Sequence, residues 1–182
     1  MLMELRILDA IQAIRTPLGD VWMPAISALG NSGAIWIAAA LLLIAFPKTR
    51  RPGMVLACAL CLDGLLCNCV LKPLVERIRP CDVNAAVELL IPRPTDYSFP
   101  SGHTAASFAA ACALYWAGAR KMFVPAIVLA VLIAFSRMYL YVHYPTDILG
   151  GVVVGVLCGW LGYRCVRFYE ARRAQRGKTG SQ

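Results

Sequence analysis

The chain is divided into apolar runs, each close to the length that crosses a bilayer. A helix needs about 20 mostly apolar residues for that crossing. Five runs qualify by eye: Val21–Phe46, Met54–Leu71, Ser101–Gly118, Met122–Tyr139 and Pro145–Tyr163. Lipid offers no partners to bare backbone groups, so such runs form helices or closed barrels. None of them alternates as a barrel strand would, so the expected fold is an all-α integral membrane bundle of about five transmembrane helices. Composition agrees: 59% of residues are hydrophobic and 15% charged, against about 25% charged in soluble domains.

The N-terminal residues 1–16 carry Leu5, Leu8 and Ile11 on one helical face, with Glu4, Arg6, Asp9, Gln12 and Arg15 mostly elsewhere. This is an amphipathic helix, lying in the membrane interface or capping the other helices. Pro24 and the stretch Gly30–Gly33 predict either a kink in the first span or a later start to it. The segment 72–99 is polar and proline-rich and reads as a loop with a short helix at most. Residues 1–167 form one membrane domain, and 168–182 are a basic, flexible tail.

Charge sets the expected topology. Lys48, Arg50 and Arg51 follow the first span, Arg120 and Lys121 follow the third, and six more cations follow Tyr163. With five spans these segments share one side, which the positive-inside rule makes the cytoplasm. The C-terminus is then cytoplasmic in a multi-pass cell-membrane protein, and 72–99 and 140–144 lie outside. The net charge of +8 thus reflects topology and anionic lipid, not nucleic acid, for which no binding motif is present. Most of the eight cysteines lie within apolar spans and read as small hydrophobes, with Cys81 alone clearly in a loop. No pairing of cysteines and histidines suits zinc, so no metal or other cofactor is expected. No interface motif marks an oligomer.

Three polar clusters fall at the outer face. Lys72 to Pro80 leaves the second span, Pro100 to His103 opens the third, and Ser136 and Arg137 end the fourth, followed by His143 and Asp147. Lys72, Arg79 and Arg137 can converge on one anion, and arginine forks match phosphate oxygens. Ser101 and Gly102 open a helix, whose free N–H groups suit an anion. The chain has only two histidines, and both stand beside this cradle. One can attack while the other moves a proton. Asp147, in the first turn after Pro145, can reach back to His143 and fix its tautomer.

These clusters resemble the tripartite signature of the type-2 phosphatidic acid phosphatase superfamily: Lys-x6-Arg-Pro, Pro-Ser-Gly-His and Ser-Arg-x5-His-x3-Asp. Every fixed position is matched between Lys72 and Asp147, and the flanking DYSFPSGHT and VHYPTDILGG resemble small bacterial members. The resemblance implies a metal-independent lipid phosphatase with His143 as nucleophile, His103 as acid and base, and Asp147 behind His143. It gives Lys72, Arg79, Ser101, Gly102 and Arg137 the phosphoryl oxygens. The expected partner is a lipid phosphate in the membrane, with undecaprenyl diphosphate first. Phosphatidylglycerophosphate, phosphatidate and a lipid A phosphate follow. A non-catalytic lipid carrier is the alternative of another class, and both histidines weigh against it. Soluble vanadium haloperoxidases share the cradle, and the apolar spans argue against them. Outside the signature, Glu76 and Arg77 read as solvated loop charges. Asp63 reads as a buried carboxyl bonded to Asn68 or a neighbouring helix. Arg93 and Asp96 stand within reach of a head group.

Overall fold

A computed structural model of the chain describes residues 2–179, and all of its regular elements are helical. Helix α1 (Leu2–Ala13) is followed by α2 (Pro17–Leu29). Thr16 caps α2, its Oγ1 accepting from Gly19 N at 3.1 Å, and Pro17 sits at the first helical position. The run breaks at Asn31–Gly33, where Ser32 and Gly33 take φ of 51° and 67°. It resumes as α3 (Ala34–Ala45), bent by 44° from α2. Helix α4 (Arg50–Asp63) passes through a π-helical stretch, Gly64–Leu71, into α5 (Lys72–Val75). The segment read as a loop adds one more short helix, α6 (Pro80–Val83). Then come α7 (Gly102–Trp116), α8 (Arg120–Tyr139) and α9 (Pro145–Thr179).

Among the described residues three runs are long and apolar enough to cross a membrane: Arg50–Val83, Arg120–Tyr139 and Pro145–Arg176. The bent pair α2–α3 makes a fourth if it counts as one span. Five were expected, and the difference is α7. It has 15 residues, about 22 Å at 1.5 Å per residue, against a hydrocarbon core of about 30 Å. Its place in the bundle accounts for that shortness: Ala105, Ala109, Ala110, Ala111 and Ala113 are fully buried. Helices α4, α8 and α9 pack around it, so much of α7 meets protein rather than lipid.

Small residues on α9 permit that packing. A Cβ at Gly151 would stand 2.8 Å from Ser101 O, and one at Gly159 would stand 2.9 Å from Ala109 O. Gly155 lies closer still to Ala105 O. Glycines four residues apart thus let α9 lie directly against the α7 backbone, which fixes the start of α7 beside the start of α9.

Helix connectivity puts the loops after α3 and α7 at one end of the bundle and the three polar clusters at the other. At the first end, Arg51 Nε lies 3.2 Å from Glu170 Oε1, and Arg51 Nη1 donates to Ala117 O at 3.4 Å. Helix α9 does not stop at the basic segment 168–182. It continues through that segment to Thr179, where a flexible tail was expected, and 180–182 lie outside the described residues. At the other end, α1 is a packed cap. Leu8 is fully buried and packs with Tyr141, Val142 and Tyr144, while Leu2 and Met3 remain exposed. Cys81, expected in an open loop, is buried in the same cluster.

Candidate active site

His143 sits in the short connection between α8 and α9, and that connection is held from several sides. Tyr141 takes φ of 60°, a left-handed conformation that costs a non-glycine residue about 1–2 kcal/mol. Its hydroxyl is anchored to offset that cost: it donates to Asp9 Oδ1 of α1 at 2.7 Å. Gln12 of α1 also donates to Tyr139 O at 2.9 Å. The cap helix therefore fixes the backbone that presents His143.

The His143 ring is buried. Its Nδ1 lies 3.5 Å from Asp147 Oδ2 and 3.4 Å from Ser98 Oγ. Its Nε2 lies 3.1 Å from Arg79 Nη1. A guanidinium can only donate, so Nε2 presents its lone pair and Nδ1 carries the hydrogen, facing Asp147. Burial pushes the imidazole down to about 3, helped by the charges of Arg79 and Arg137 and opposed by Asp147. The ring is therefore neutral at ordinary pH, with the lone pair on the cavity side.

Asp147 is fully buried behind His143 and fully engaged. Oδ2 accepts from Ser98 Oγ at 2.5 Å and from Tyr144 N at 2.9 Å. Oδ1 accepts from Arg77 Nη1 at 2.6 Å. Arg77 also donates to Glu4 Oε2 at 2.8 Å and lies 4.0 Å over the Tyr144 ring. The reading of Arg77 as a solvated loop charge is therefore corrected: it is the ion-pair partner of Asp147. Ser98 was likewise missed. The only signal for either was position, Arg77 two residues before Arg79 and Ser98 three before Ser101.

A cavity of about 650 Å³ joins Lys72, Arg79, Gly102, His103, Arg137 and His143. Six of the eight expected site residues thus line one cavity. Asp147 stands behind His143. Ser101 is buried, and its Oγ accepts from Thr104 Oγ1 at 3.0 Å and Thr104 N at 3.5 Å, capping α7. Its N–H donates to Asp147 O at 3.1 Å. The serine oxygen therefore caps the helix start and keeps its own hydrogen to donate, while Gly102 lines the cavity.

Two features show what the cavity suits. Arg137 is buried, donates to Ser27 Oγ at 2.5 Å, and keeps its Nε without a hydrogen-bond partner among the described residues. A buried, charged, unpaired donor requires an acceptor. Asp96 supplies a carboxylate to the other two cations, bridging Lys72 Nζ and Arg79 Nη2, the latter at 2.7 Å. Burial alone would raise the Asp96 carboxyl, but the bond to Lys72 and the charge of Arg79 hold it well below the usual carboxylate range. A carboxylate thus occupies two of the three cations that line the cavity. Arg93 also lines the cavity but is turned to Asp82, at 2.7 Å. On the far side, His103 Nε2 lies 2.9 Å from Asn31 Oδ1, at the break between α2 and α3. Gly30 makes room for this approach, since a Cβ there would come within 2.9 Å of His103 Cδ2.

The fold and the site define a multi-pass integral membrane protein with a basic anion cradle and a carboxylate-backed histidine. The profile of the PAP2 superfamily matches residues 52–170, and the chain belongs to that family. It is similar to the undecaprenyl-diphosphatase of Sulfolobus acidocaldarius, 33% identical over 133 residues, which cover 73% of this chain and 63% of the relative. Among solved structures it resembles LpxE of Aquifex aeolicus, with a TM-score of 0.74 and 29% identity over 88% of this chain and 94% of that one. The transmembrane PAP2-type phosphatidylglycerolphosphate phosphatase of Bacillus subtilis gives a TM-score of 0.73 and 28% identity, over 93% and 85% of the two chains. The chain spans about three fifths of the length of the first curated relatives it matches.

Proposed function

We propose that this chain is a membrane lipid phosphatase that works through a phosphohistidine and needs no metal. One observation carries the reading: two histidines border a single cavity with three cations, and one of them is backed by a buried carboxylate. In the first step His143 Nε2 attacks phosphorus, the bond to the leaving oxygen breaks, and His103 gives that oxygen its proton. In the second step His103 takes a proton from water, the water oxygen attacks phosphorus, and the P–N bond breaks. His143 regains its lone pair and phosphate leaves. Lys72, Arg79, Arg137 and the Gly102 backbone hold the phosphoryl oxygens, and such charge stabilisation supplies most of the catalysis in phosphoryl transfer. Ser101 and Asp147 act from behind, through α7 and His143.

In the bilayer we assign five passes, with α2–α3 as one broken pass and α7 as a short one shielded by protein. The basic end faces the cytoplasm and the site faces out. Cys81 is too buried to report this, so an Ala86→Cys variant, at an exposed loop position, is the probe. It should react with an impermeant maleimide in intact cells, and reaction only after permeabilisation would invert the topology.

The cradle reads phosphate and leaves the lipid open. Undecaprenyl diphosphate is supported by the name of the relative from Sulfolobus acidocaldarius. A hydroxyl-bearing phosphomonoester lipid is favoured by Asp63, which lines the cavity beside the cradle and whose Oδ1 has no hydrogen-bond partner among the described residues. The activity is tested by phosphate release from purified protein in excess chelator, with undecaprenyl diphosphate, phosphatidylglycerophosphate, phosphatidate and a lipid A phosphate in parallel. Release should survive chelation, be inhibited by vanadate, and vanish in His143→Ala together with an acid-labile phosphoenzyme. A chelator-sensitive activity, or full turnover by the variant, would refute the mechanism.

A further inference from the structure

A second cavity, of about 420 Å³, meets the cradle at His103 and Lys72 and continues between α3, α4 and α7. Glycines on three elements leave this space. A Cβ at Gly64 would meet nothing within 4 Å, and those at Gly102 and Gly33 would have nearest neighbours at 3.7 and 4.0 Å. Asp63 of α4 stands in the wall. It is 4% exposed, and its Oδ1 has no hydrogen-bond partner among the described residues. The bond to Asn68 expected from sequence is therefore not made by this oxygen. A buried acceptor left without a donor in a membrane helix is costly, and such a cost is offset when a ligand brings the donor.

The reaction fixes which part of a substrate lies here. His103, which lines both cavities, protonates the leaving oxygen, so the group beyond that oxygen extends to the His103 side of the cradle, where this cavity begins. The two candidate lipids differ there. In a prenyl diphosphate, the atoms beyond the second phosphate are hydrocarbon and bring no donor to Asp63. In a phosphorylated glycerol or sugar head group, a hydroxyl stands one or two carbons from the leaving oxygen.

We infer that the cavity floored by Asp63 is the leaving-group subsite, and that it takes a hydroxyl-bearing head group whose hydroxyl donates to Asp63. This inference rests on the phosphatase reading above. Asp63 is then a specificity-determining residue, because a site built to bond a hydroxyl discriminates against the analogue that lacks it.

The test uses the purified full chain and four lipids: phosphatidylglycerophosphate, its analogue without the hydroxyl of the terminal glycerol, a lipid A phosphate and undecaprenyl diphosphate. The wild-type protein should favour phosphatidylglycerophosphate over its deoxy analogue by about tenfold or more in kcat/KM, the lower range for a hydrogen bond to a charged group. Asp63→Leu should bring that ratio to about one, and the glycerol and sugar arms tell which skeleton supplies the hydroxyl. Equal rates on the pair in wild type, which need no variant, overturn the inference, as does a preference that Asp63→Leu keeps. Preference for the diphosphate over both hydroxylated lipids also overturns it. In each of those cases His143-dependent release leaves the phosphatase reading standing. Release from none of the four overturns both.

Discussion

Arg77→Met removes the charge that Asp147 faces while keeping an apolar stem over the Tyr144 ring. The bond lost is short, 2.6 Å, and one partner is fully buried while the other is about one-quarter exposed. A hydrogen bond to a charged group contributes about 1.5–3 kcal/mol. At 1.36 kcal/mol per decade, that predicts a loss of about 10- to 150-fold in the attack step. Asp147 keeps Ser98 and the Tyr144 N–H, so the loss should be smaller than that of Asp147→Asn, whose counterpart in serine-protease triads costs about 10⁴. Arg77 touches Asp147 and not the cradle, so kcat should fall and KM should stay near its wild-type value. The assay is rapid-quench formation of the phosphoenzyme, run on the two single variants and the double. If Arg77 acts through Asp147, adding Arg77→Met to Asp147→Asn should cost about threefold or less, because residues that act as a unit are not additive. A full repeat of the single-variant loss in the Asn background, or an effect on KM alone, would refute the reasoning.

Asp96→Asn should tighten vanadate inhibition, because the carboxylate competes for Lys72 and Arg79. Asp96 is half exposed, which limits the pair to about 1 kcal/mol, or about fivefold; weaker inhibition would show instead that Asp96 organises the cations. Gly30→Ala places a methyl 2.9 Å from His103. A displacement of that order should slow lipid turnover by up to about 100-fold, while a p-nitrophenyl leaving group, which needs little protonation, should be nearly spared. The His143 imidazole is held down to about 3 in the folded protein, against about 6.5 in the unfolded chain. Folded protein therefore binds fewer protons between those values, and stability present above about 6.5 is lost as pH falls toward 3. His143→Gln should lose less melting temperature than wild type between about pH 7 and 4, and an equal loss would show that other groups carry the acid sensitivity.

What the sequence made legible depended on whether a residue's partner was near in the chain or only in space. Apolar runs and their breaks are local, so the spans at 122–139 and 145–163 and an irregularity near Gly30 could be read directly. The three polar clusters could be brought to one end simply by counting spans. Span counting failed at α7, because it scores apolar length alone. It cannot tell a helix that faces lipid from one whose alanines are surrounded by three other helices. The glycines at 151, 155 and 159 carried that information, since their spacing announces a close backbone contact. Arg77 failed for a related reason. An arginine in a polar, proline-rich stretch looks solvated until Glu4, Thr146 and Asp147 arrive around it from distant parts of the chain. Asp63 is the reverse case. Sequence could say that a mid-span carboxyl must have a partner, and it offered Asn68 or a neighbouring helix. In the folded chain Oδ1 has no partner among the described residues, and Asp63 lines a cavity beside the cradle. The polar groups that bind each other inside this protein hold the histidine. The carboxyl oxygen left unbonded belongs to the residue proposed to meet a substrate.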